Sequence, residues 1–331
     1  MTHALDLLAI GNAIVDVIAR CGDDFLLKQG IVKGSMNLID ETRAEALYAA
    51  MGPATIISGG SAANTAVGAA SFGARAAFIG KVKADPVGDV FAHDIVASGV
   101  AFGTQLAHDG VATARSFILV TPDGERTMNT YLGACQSLSE QDIDPATVQS
   151  AAVTYLEGYL WDPPAAKLAF RKAAELAHAA KREVALTLSD SFCVDRYRDE
   201  FRSLISTGLV DLVFANESEL KALYETSDFE SALQAVRGEA RRAAVTRSEK
   251  GSVIVDGATT IEIPAFPIER FEDATGAGDA YAAGFLFGYT AGLGYDKAGR
   301  LGALAASHVI QKIGARPDRP LRELAQENGL I

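Results

Sequence analysis

The stretch Glu272–Gly288, EDATGAGDAYAAGFLFG, decides the reading of this chain. Gly276, Ala277 and Gly278 stand immediately before Asp279, the single charge in an apolar run that continues to Gly288. A glycine turn that feeds a helix leaves unpaired N–H groups pointing outward, with the positive end of the helix dipole behind them. Such a turn is a cradle for a phosphate or an oxyanion, and small side chains let a ligand approach the backbone closely. An aspartate in a first helical turn can simply complement the dipole. The density of glycine plus aspartate at one helix start also suits a second task. Asp279 would take a proton from a hydroxyl while neighbouring N–H groups hold a transferring phosphoryl group.

Working outward, strand-like and helix-like runs alternate through the second half. AAVTYLEGY, EVALTLS and VDLVFAN read as strands, with PPAAKLAFRKAAELAHAAKR, DEFRSLIST and ESELKALYE as the helices after them. The alternation predicts an α/β fold with a mainly parallel sheet covered by helices. DLLAIG at the start reads as a buried strand closed by glycine. SGGSAANTAVGAASFG reads as a Gly-Gly turn followed by a small-residue helix. ARSFILVTPDGERTMNTYLGA carries a Pro-Asp-Gly turn between two strand-like runs, a hairpin signal. The irregular early segments, roughly 12–40 and 105–135, are expected to form a small β lid on one large unit spanning 1–331.

Composition narrows the function classes. The chain has 331 residues, enough for a sizeable core. Its net charge of −12, with no long Lys/Arg cluster, argues against nucleic acid as a partner. Cys21, Cys135 and Cys193 are odd in number and far apart, so neither a disulfide framework nor a metal knuckle is read from them, and the reducing cytoplasm is the expected location. The first twenty residues have no basic leader, and Asp6 and Asp16 interrupt their apolar run, so a strand is expected there, not a signal peptide or a membrane span. There is no GxxxxGK[ST], no GxGxxG between strand and helix, no GxSxG and no HExxH. A P-loop enzyme is thereby excluded and a dehydrogenase disfavoured.

GGSAANTA at 59–66, GKVKADPVGD at 80–89 and DATGAGDAYAAGF at 273–285 together resemble the two signatures of the ribokinase-like (PfkB) family of carbohydrate and nucleoside kinases. The resemblance covers nearly the whole chain. It implies a three-layer α/β/α fold with a small β-sheet lid, ATP as phosphoryl donor and Mg²⁺ on the phosphates. By this resemblance Asp279 is the base, and the backbone of Gly276, Ala277, Gly278 and Asp279 is the anion hole. NESE at 216–219 resembles the family's NxxE, which implies Asn216 near the phosphates and Glu219 acting on Mg²⁺ through water. Read locally, the same residues make a helix capping box, and both roles are compatible. GNAIVD places Asn12 and Asp16 after the first strand, where the family binds a sugar diol. A carboxylate offers two acceptor oxygens to two adjacent hydroxyls, and Gly59, Gly60 and Asn64 would complete that site. VTRSEKG at 245–251 resembles the family's VTxGxxG at Thr246 and Gly251, with Ser248 where glycine is usual. ATP contacts are also expected around Ala303 and Ser307. Asp273-Ala274 replaces the usual Asp-Thr, which leaves a monovalent cation requirement open.

For the substrate, LTLSDSF (186–192), YLEGYLW (155–161) and GERTMNTYLGA (124–134) resemble the adenosine kinase branch of the family. That implies Arg126 on the phosphate charge, Met128 and Thr130 near the nucleobase, and a flat apolar slot lined by Leu27, Met128, Tyr159 and Leu160. The expected partners are a nucleoside and ATP, with the chain acting as a monomer or homodimer. A sugar kinase of ribokinase or fructokinase type is the first alternative. A non-catalytic nucleotide-binding protein is the alternative of another class.

Overall fold

The computed structural model describes residues 4–331. In chain order its strands are β1 (Leu5–Ile10), β2 (Ile14–Arg20), β3 (Met36–Leu38), β4 (Ala54–Gly59), β5 (Ala76–Ile79), β6 (Val100–Phe102), β7 (Ala114–Val120), β8 (Arg126–Tyr131), β9 (Ala151–Glu157), β10 (Glu183–Thr187), β11 (Leu212–Asn216), β12 (Arg242–Thr246), β13 (Ser252–Asp256) and β14 (Thr259–Ile263). The large sheet runs β14-β13-β12-β11-β10-β9-β1-β5-β6. From β6 to β12 all neighbours are parallel, and β13 and β14 close one edge antiparallel. The order runs outward in both directions from β1. A crevice at the carboxyl end of β1 and β9 is the place where such a sheet takes a ligand.

Alternate residues of each strand enter different cores, as the two-residue period of a strand requires. Leu8, Ile10, Leu186 and Val213 join the core under the helices Pro164–Ala179 and Ser191–Ser206. Leu7, Ala9, Phe78 and Phe214 join the core under the helices Ser61–Phe72 and Ala277–Thr290. The expected three-layer α/β/α architecture is therefore present. Burial on both faces explains why the strand segments read as continuous apolar runs.

The smaller sheet runs β3-β8-β7-β2-β4. Register aligns Asp16 with Ser116, Ser116 with Thr130, Ile118 with Met128 and Met36 with Met128, so these side chains share one face with Arg126. Val17, Phe117, Leu119 and Tyr131 point the other way, into a core closed by Leu26, Ala44 and Leu47. The expected lid segments require one correction: β4 also belongs to this sheet, pairing with β2 from Ala19↔Ala54 to Ile14↔Gly59. Without it β2 would be an unpaired edge.

The helix Ala277–Thr290 packs between the helices Ser61–Phe72 and Tyr295–Val309 and is buried on nearly every side. The closest approach is at Gly284, where an added Cβ would collide with the backbone carbonyl of Leu301. A backbone carbonyl cannot step aside as a side chain can. Gly284→Ala should therefore destabilise the fold by about 1–3 kcal/mol, as overpacking does, measured as a lower urea midpoint with an unchanged m-value.

Candidate active site

The site is built where both sheets meet the start of the Ala277–Thr290 helix. The chain leaves β1 through Gly11–Ala13 into β2 and returns from β4 through Gly59–Gly60 into the Ser61–Phe72 helix. These two crossings touch. Gly60 has φ 99°, and a Cβ on it would strike the carbonyl of Asn12. Only glycine combines that dihedral with that proximity.

Glu157, at the end of β9, ties the crossings together. One carboxylate oxygen accepts from Asn12 Nδ2 at 2.7 Å, and the other accepts the N–H of Ala62 at 2.8 Å. The carboxylate thus caps the first turn of the Ser61–Phe72 helix, whose N-cap is a glycine with no side chain to offer. Burial pushes Glu157 up to about 7, against the lowering effect of these hydrogen bonds. Nothing in the sequence reading singled Glu157 out. Its only signal is a carboxylate ending the apolar strand AAVTYLE.

Asp279 lies in the first turn of its helix. Ser61 Oγ donates to its Oδ1 at 2.6 Å, and Asn64 Nδ2 donates to its Oδ2 at 3.3 Å. Burial raises it to about 6, while the bonds from Ser61 and Asn64 lower it. The N–H groups of Gly276, Gly278 and Asp279 have no protein acceptor among the described residues. Ala277 differs: its N–H closes a turn onto the Ala274 carbonyl at 3.1 Å. The expected run of four donors is corrected to three on that account. Gly276 sits in the left-handed region at φ 76°, against Ala315 of the Gly314–Arg316 loop.

Asp16 projects from β2 directly over Gly59, where a Cβ would occupy the place of its carboxylate. Burial raises Asp16 to about 6, Arg316 and Arg126 lower it, and Asp279 raises it. The two carboxylates feel each other across one cleft. Arg126 crosses from β8 to form a buried ion pair with Asp273, which also accepts the N–H groups of Thr275 at 2.9 Å and Gly314 at 3.1 Å. Arg316, absent from the expected site, donates from Nε to Asn64 Oδ1 at 3.2 Å and from Nη1 to Asp94 Oδ2 at 3.0 Å.

The expected slot is only partly assembled. Met128 and Thr130 share the Asp16 face, with Thr130 bonded to Ser116 at 2.8 Å. Met36, Ile118 and Ile18 are the apolar neighbours on that face that the sequence reading missed. Tyr159 is partly exposed, its hydroxyl donating to the Ser189 carbonyl at 3.1 Å. Leu160 is corrected: it is buried with Trp161 in the core below the Pro164–Ala179 helix. Leu27 is corrected as well. It is exposed on the helix Asp23–Gln29, whose buried Leu26 packs on the opposite face of the small sheet.

Toward the large-sheet edge, an open hollow of about 330 Å³ is lined by Asn216, Lys221, Thr246, Ser248 and their neighbours. Ser248 adopts φ 52° and Gly251 φ 82°, so the serine supplies the left-handed turn residue expected of glycine. Asn216 and Glu219 form the capping box: Asn216 Nδ2 donates to Glu219 at 2.6 Å, and the Glu219 N–H donates back at 2.8 Å. Burial raises Glu219 to about 7, and Asp190 and Asp279 add to the rise. Ala303 and Ser307 are buried in their helix, Ser307 Oγ donating to the Leu304 carbonyl.

A carboxylate beside free helix N–H groups, under a sheet that offers a second carboxylate, answers to a phosphotransferase with an alcohol acceptor. The chain belongs to the pfkB family of carbohydrate kinases, whose family model matches residues 33–322, and as a kinase of that family it uses ATP as phosphoryl donor. It is 25% identical to an adenosine kinase of Saccharomyces cerevisiae, over 96% of this chain and 98% of that one. The crystal structure of adenosine kinase from Sinorhizobium meliloti is 56% identical, with a TM-score of 0.91 over 98% of this chain and 99% of that one. A probable sugar kinase from Rhizobium etli CFN 42 is 53% identical, with a TM-score of 0.93 over the full length of both. Among the described residues no helix is long and apolar enough to cross a membrane.

Four carboxylates with raised values, the half-buried Asp16 and Asp279 and the buried Glu157 and Glu219, bind more protons folded than unfolded between about pH 4 and pH 7. Their contribution to stability therefore falls as pH rises through that window. Glu157→Gln keeps an acceptor for only one of its two partners, Asn12 or Ala62, and removes one titration, so the change of stability with pH is the readout and not its absolute value. Urea unfolding at about pH 5.5 and about pH 8 should show a smaller loss of stability on the alkaline side for this variant than for the unaltered chain.

Proposed function

We propose that the protein phosphorylates the 5′-hydroxyl of adenosine, or of a closely related purine nucleoside, with ATP. The observation that carries the reading is Asp279 at a helix mouth, held by Ser61 and Asn64, with Asp16 of the facing sheet lying over Gly59 just before the same Ser61–Phe72 helix. Asp16 would accept the ribose diol. Asp279, oriented by Ser61 and Asn64, would then take the 5′-hydroxyl proton as the oxygen attacks the γ-phosphorus. The N–H groups of Gly276, Gly278 and Asp279 would meet the developing charge on the phosphoryl oxygens. Arg126 is poised on the Asp273 loop beside them. Met36, Met128, Ile118 and Ile18 offer an apolar wall for a base, which a free sugar would leave uncovered. The full-length likeness to adenosine kinases supports the same substrate.

Mg²⁺ fits as an ion carried by the triphosphate. The described residues hold no cluster of three or more candidate ligands, and both Glu219 oxygens already accept from Asn216. Glu219 would therefore meet the ion through water, the usual mode for a metal that keeps much of its hydration shell. When bound, Mg²⁺ neutralises charge on the transferring phosphoryl group. The three free thiols suit a cytoplasmic enzyme of purine nucleoside salvage.

The likeness to a probable sugar kinase supports one other reading, transfer to a free sugar by the same groups. Steady-state rates with adenosine, guanosine, inosine, ribose and fructose separate the two, and turnover of a sugar without any nucleoside would reject the nucleoside reading. Asp279→Ala should lower kcat by roughly 10³-fold or more while ATP binding persists in calorimetry. The acid limb of kcat/KM should fall below about pH 6 with two coupled protons, and Asp16→Asn should reduce it to one.

A further inference from the structure

Among the described residues, Lys181, Ser189, Glu225 and Ser248 adopt positive φ without being glycine. Lys181 and Glu225 each stand two residues past the end of a helix, where a left-handed residue is an ordinary way to stop. Ser248 lies in the turn at the open hollow. Ser189 has neither explanation. At φ 74° it sits between β10 and the helix Ser191–Ser206, at the carboxyl end of the large sheet and next to the exit of β9. A side chain in that region is strained, and such strain persists only where the surroundings enforce it.

The enforcement comes from both sides. Leu188 is buried with its N–H on the Phe214 carbonyl at 3.0 Å, and Asp190 caps the next helix through the Cys193 N–H at 2.6 Å. The Cys193 thiol donates to the Gly158 carbonyl at 3.1 Å, which fastens the helix start to the exit of β9. Gly158 passes so close to this loop that a Cβ on it would meet the Thr187 and Leu188 carbonyls. The close passage brings Tyr159 onto Ser189 twice. The Tyr159 N–H donates to Ser189 Oγ at 3.1 Å, and the Tyr159 hydroxyl donates to the Ser189 carbonyl at 3.1 Å.

One bond at each end of the residue fixes the Tyr159 ring. Both end on the exit of β10, so the ring lies along the exits of β9 and β10 and does not turn under a helix as Leu160 does. Tyr159 keeps 37% exposure against 1% for Leu160. Two residues before it, Glu157 holds the N–H of Ala62, the neighbour of the Ser61 that bonds Asp279. An open aromatic side chain therefore stands on the main layer beside the candidate base, and the apolar wall of the small sheet covers the same end of the molecule. Flat ligands are held by aromatic and apolar surface of this kind.

We propose that Ser189 is a positioning residue for substrate selection, holding Tyr159 as a fixed aromatic wall for the base of the nucleoside. The inference rests on the nucleoside reading. A ring already held in place loses no rotamer freedom when a base meets it, so the strain at Ser189 favours affinity for the base. The role also accounts for the residue type. Glycine would relieve the strain but could not accept the Tyr159 N–H, and alanine would keep the strain and lose the acceptor as well.

The test measures urea midpoint, kcat, and KM for adenosine and for ATP in Ser189→Gly, Ser189→Ala and the unaltered enzyme. Both variants should raise KM for adenosine about 3- to 10-fold, the worth of one hydrogen bond, with kcat and KM for ATP within about twofold. The alanine variant should have the lower midpoint of the two, because glycine relieves the strain. A purely structural serine would make KM follow stability. A KM rise confined to the less stable variant, equal losses in kcat and both KM values, or an unmoved KM for adenosine each overturns the proposal. In a Tyr159→Ala background Ser189→Gly should change KM by no more than about twofold, and a full further loss there overturns the route through Tyr159. Should the alanine variant not fold, the glycine variant and the Tyr159→Ala background decide. An unaltered enzyme that phosphorylates no nucleoside rejects the nucleoside reading, and the base wall with it. Adenosine turnover with KM indifferent to Ser189 rejects this proposal alone.

Discussion

The structure depends on keeping a half-buried carboxylate, Asp279, ionisable a few atoms from a helix N-terminus. Burial alone opposes its charge. Three kinds of group counter that opposition: the hydroxyl of Ser61, the amide of Asn64 and the positive end of its own helix. Ser61 and Asn64 belong to a helix more than two hundred residues earlier in the chain. The close contact between the Ser61–Phe72 and Ala277–Thr290 helices is thus a requirement of the site as well as of the core. The small residues that run through both helices follow from it.

A second layer of charge is arranged around the same point. Arg316 holds Asn64 and Asp94, Arg126 meets Asp273, and Glu157 holds the two crossings between the sheets. Buried ions of this kind contribute little net stability, since desolvation offsets most of their attraction. Their effect is positional. Asp273 and Glu157 each hold backbone N–H groups, and Glu157 the Asn12 amide as well, which fixes the loops that wall the cleft.

Much of this was legible in the sequence because it is local. The Gly-Ala-Gly-Asp run, the strand–helix alternation and the Pro-Asp-Gly hairpin each lie within a few residues, where turn chemistry and periodicity act. β4 escaped because ATIISGG is short and ends in a Gly-Gly pair that reads as a turn; only its pairing with β2 makes it a strand. Arg316 carried no local mark at all, since its partners lie 222 and 252 residues away. Glu157 likewise meets Asn12 across 145 residues. Leu27 and Leu160 failed for a different reason: apolar side chains look alike in sequence, and only the packing assigns one to solvent, another to a core and neither to the slot. The resemblance to a known family reached Asp279, Asp16 and the Ser248–Gly251 turn. It did not reach the residues that hold them in place.

The small sheet is sewn into the large one. Its five strands come from two separate passes of the chain, and β2 meets β7 across about a hundred residues that include two strands and two helices of the main layer. The β7–β8 hairpin is local, but joining it to β2 closes a loop of about a hundred residues, which is entropically costly until the main layer has brought the ends together. The cover of the cleft is therefore a late product of folding. A chain folded only in its main layer would leave the N–H groups at the mouth of the Ala277–Thr290 helix exposed, before the small sheet covers them.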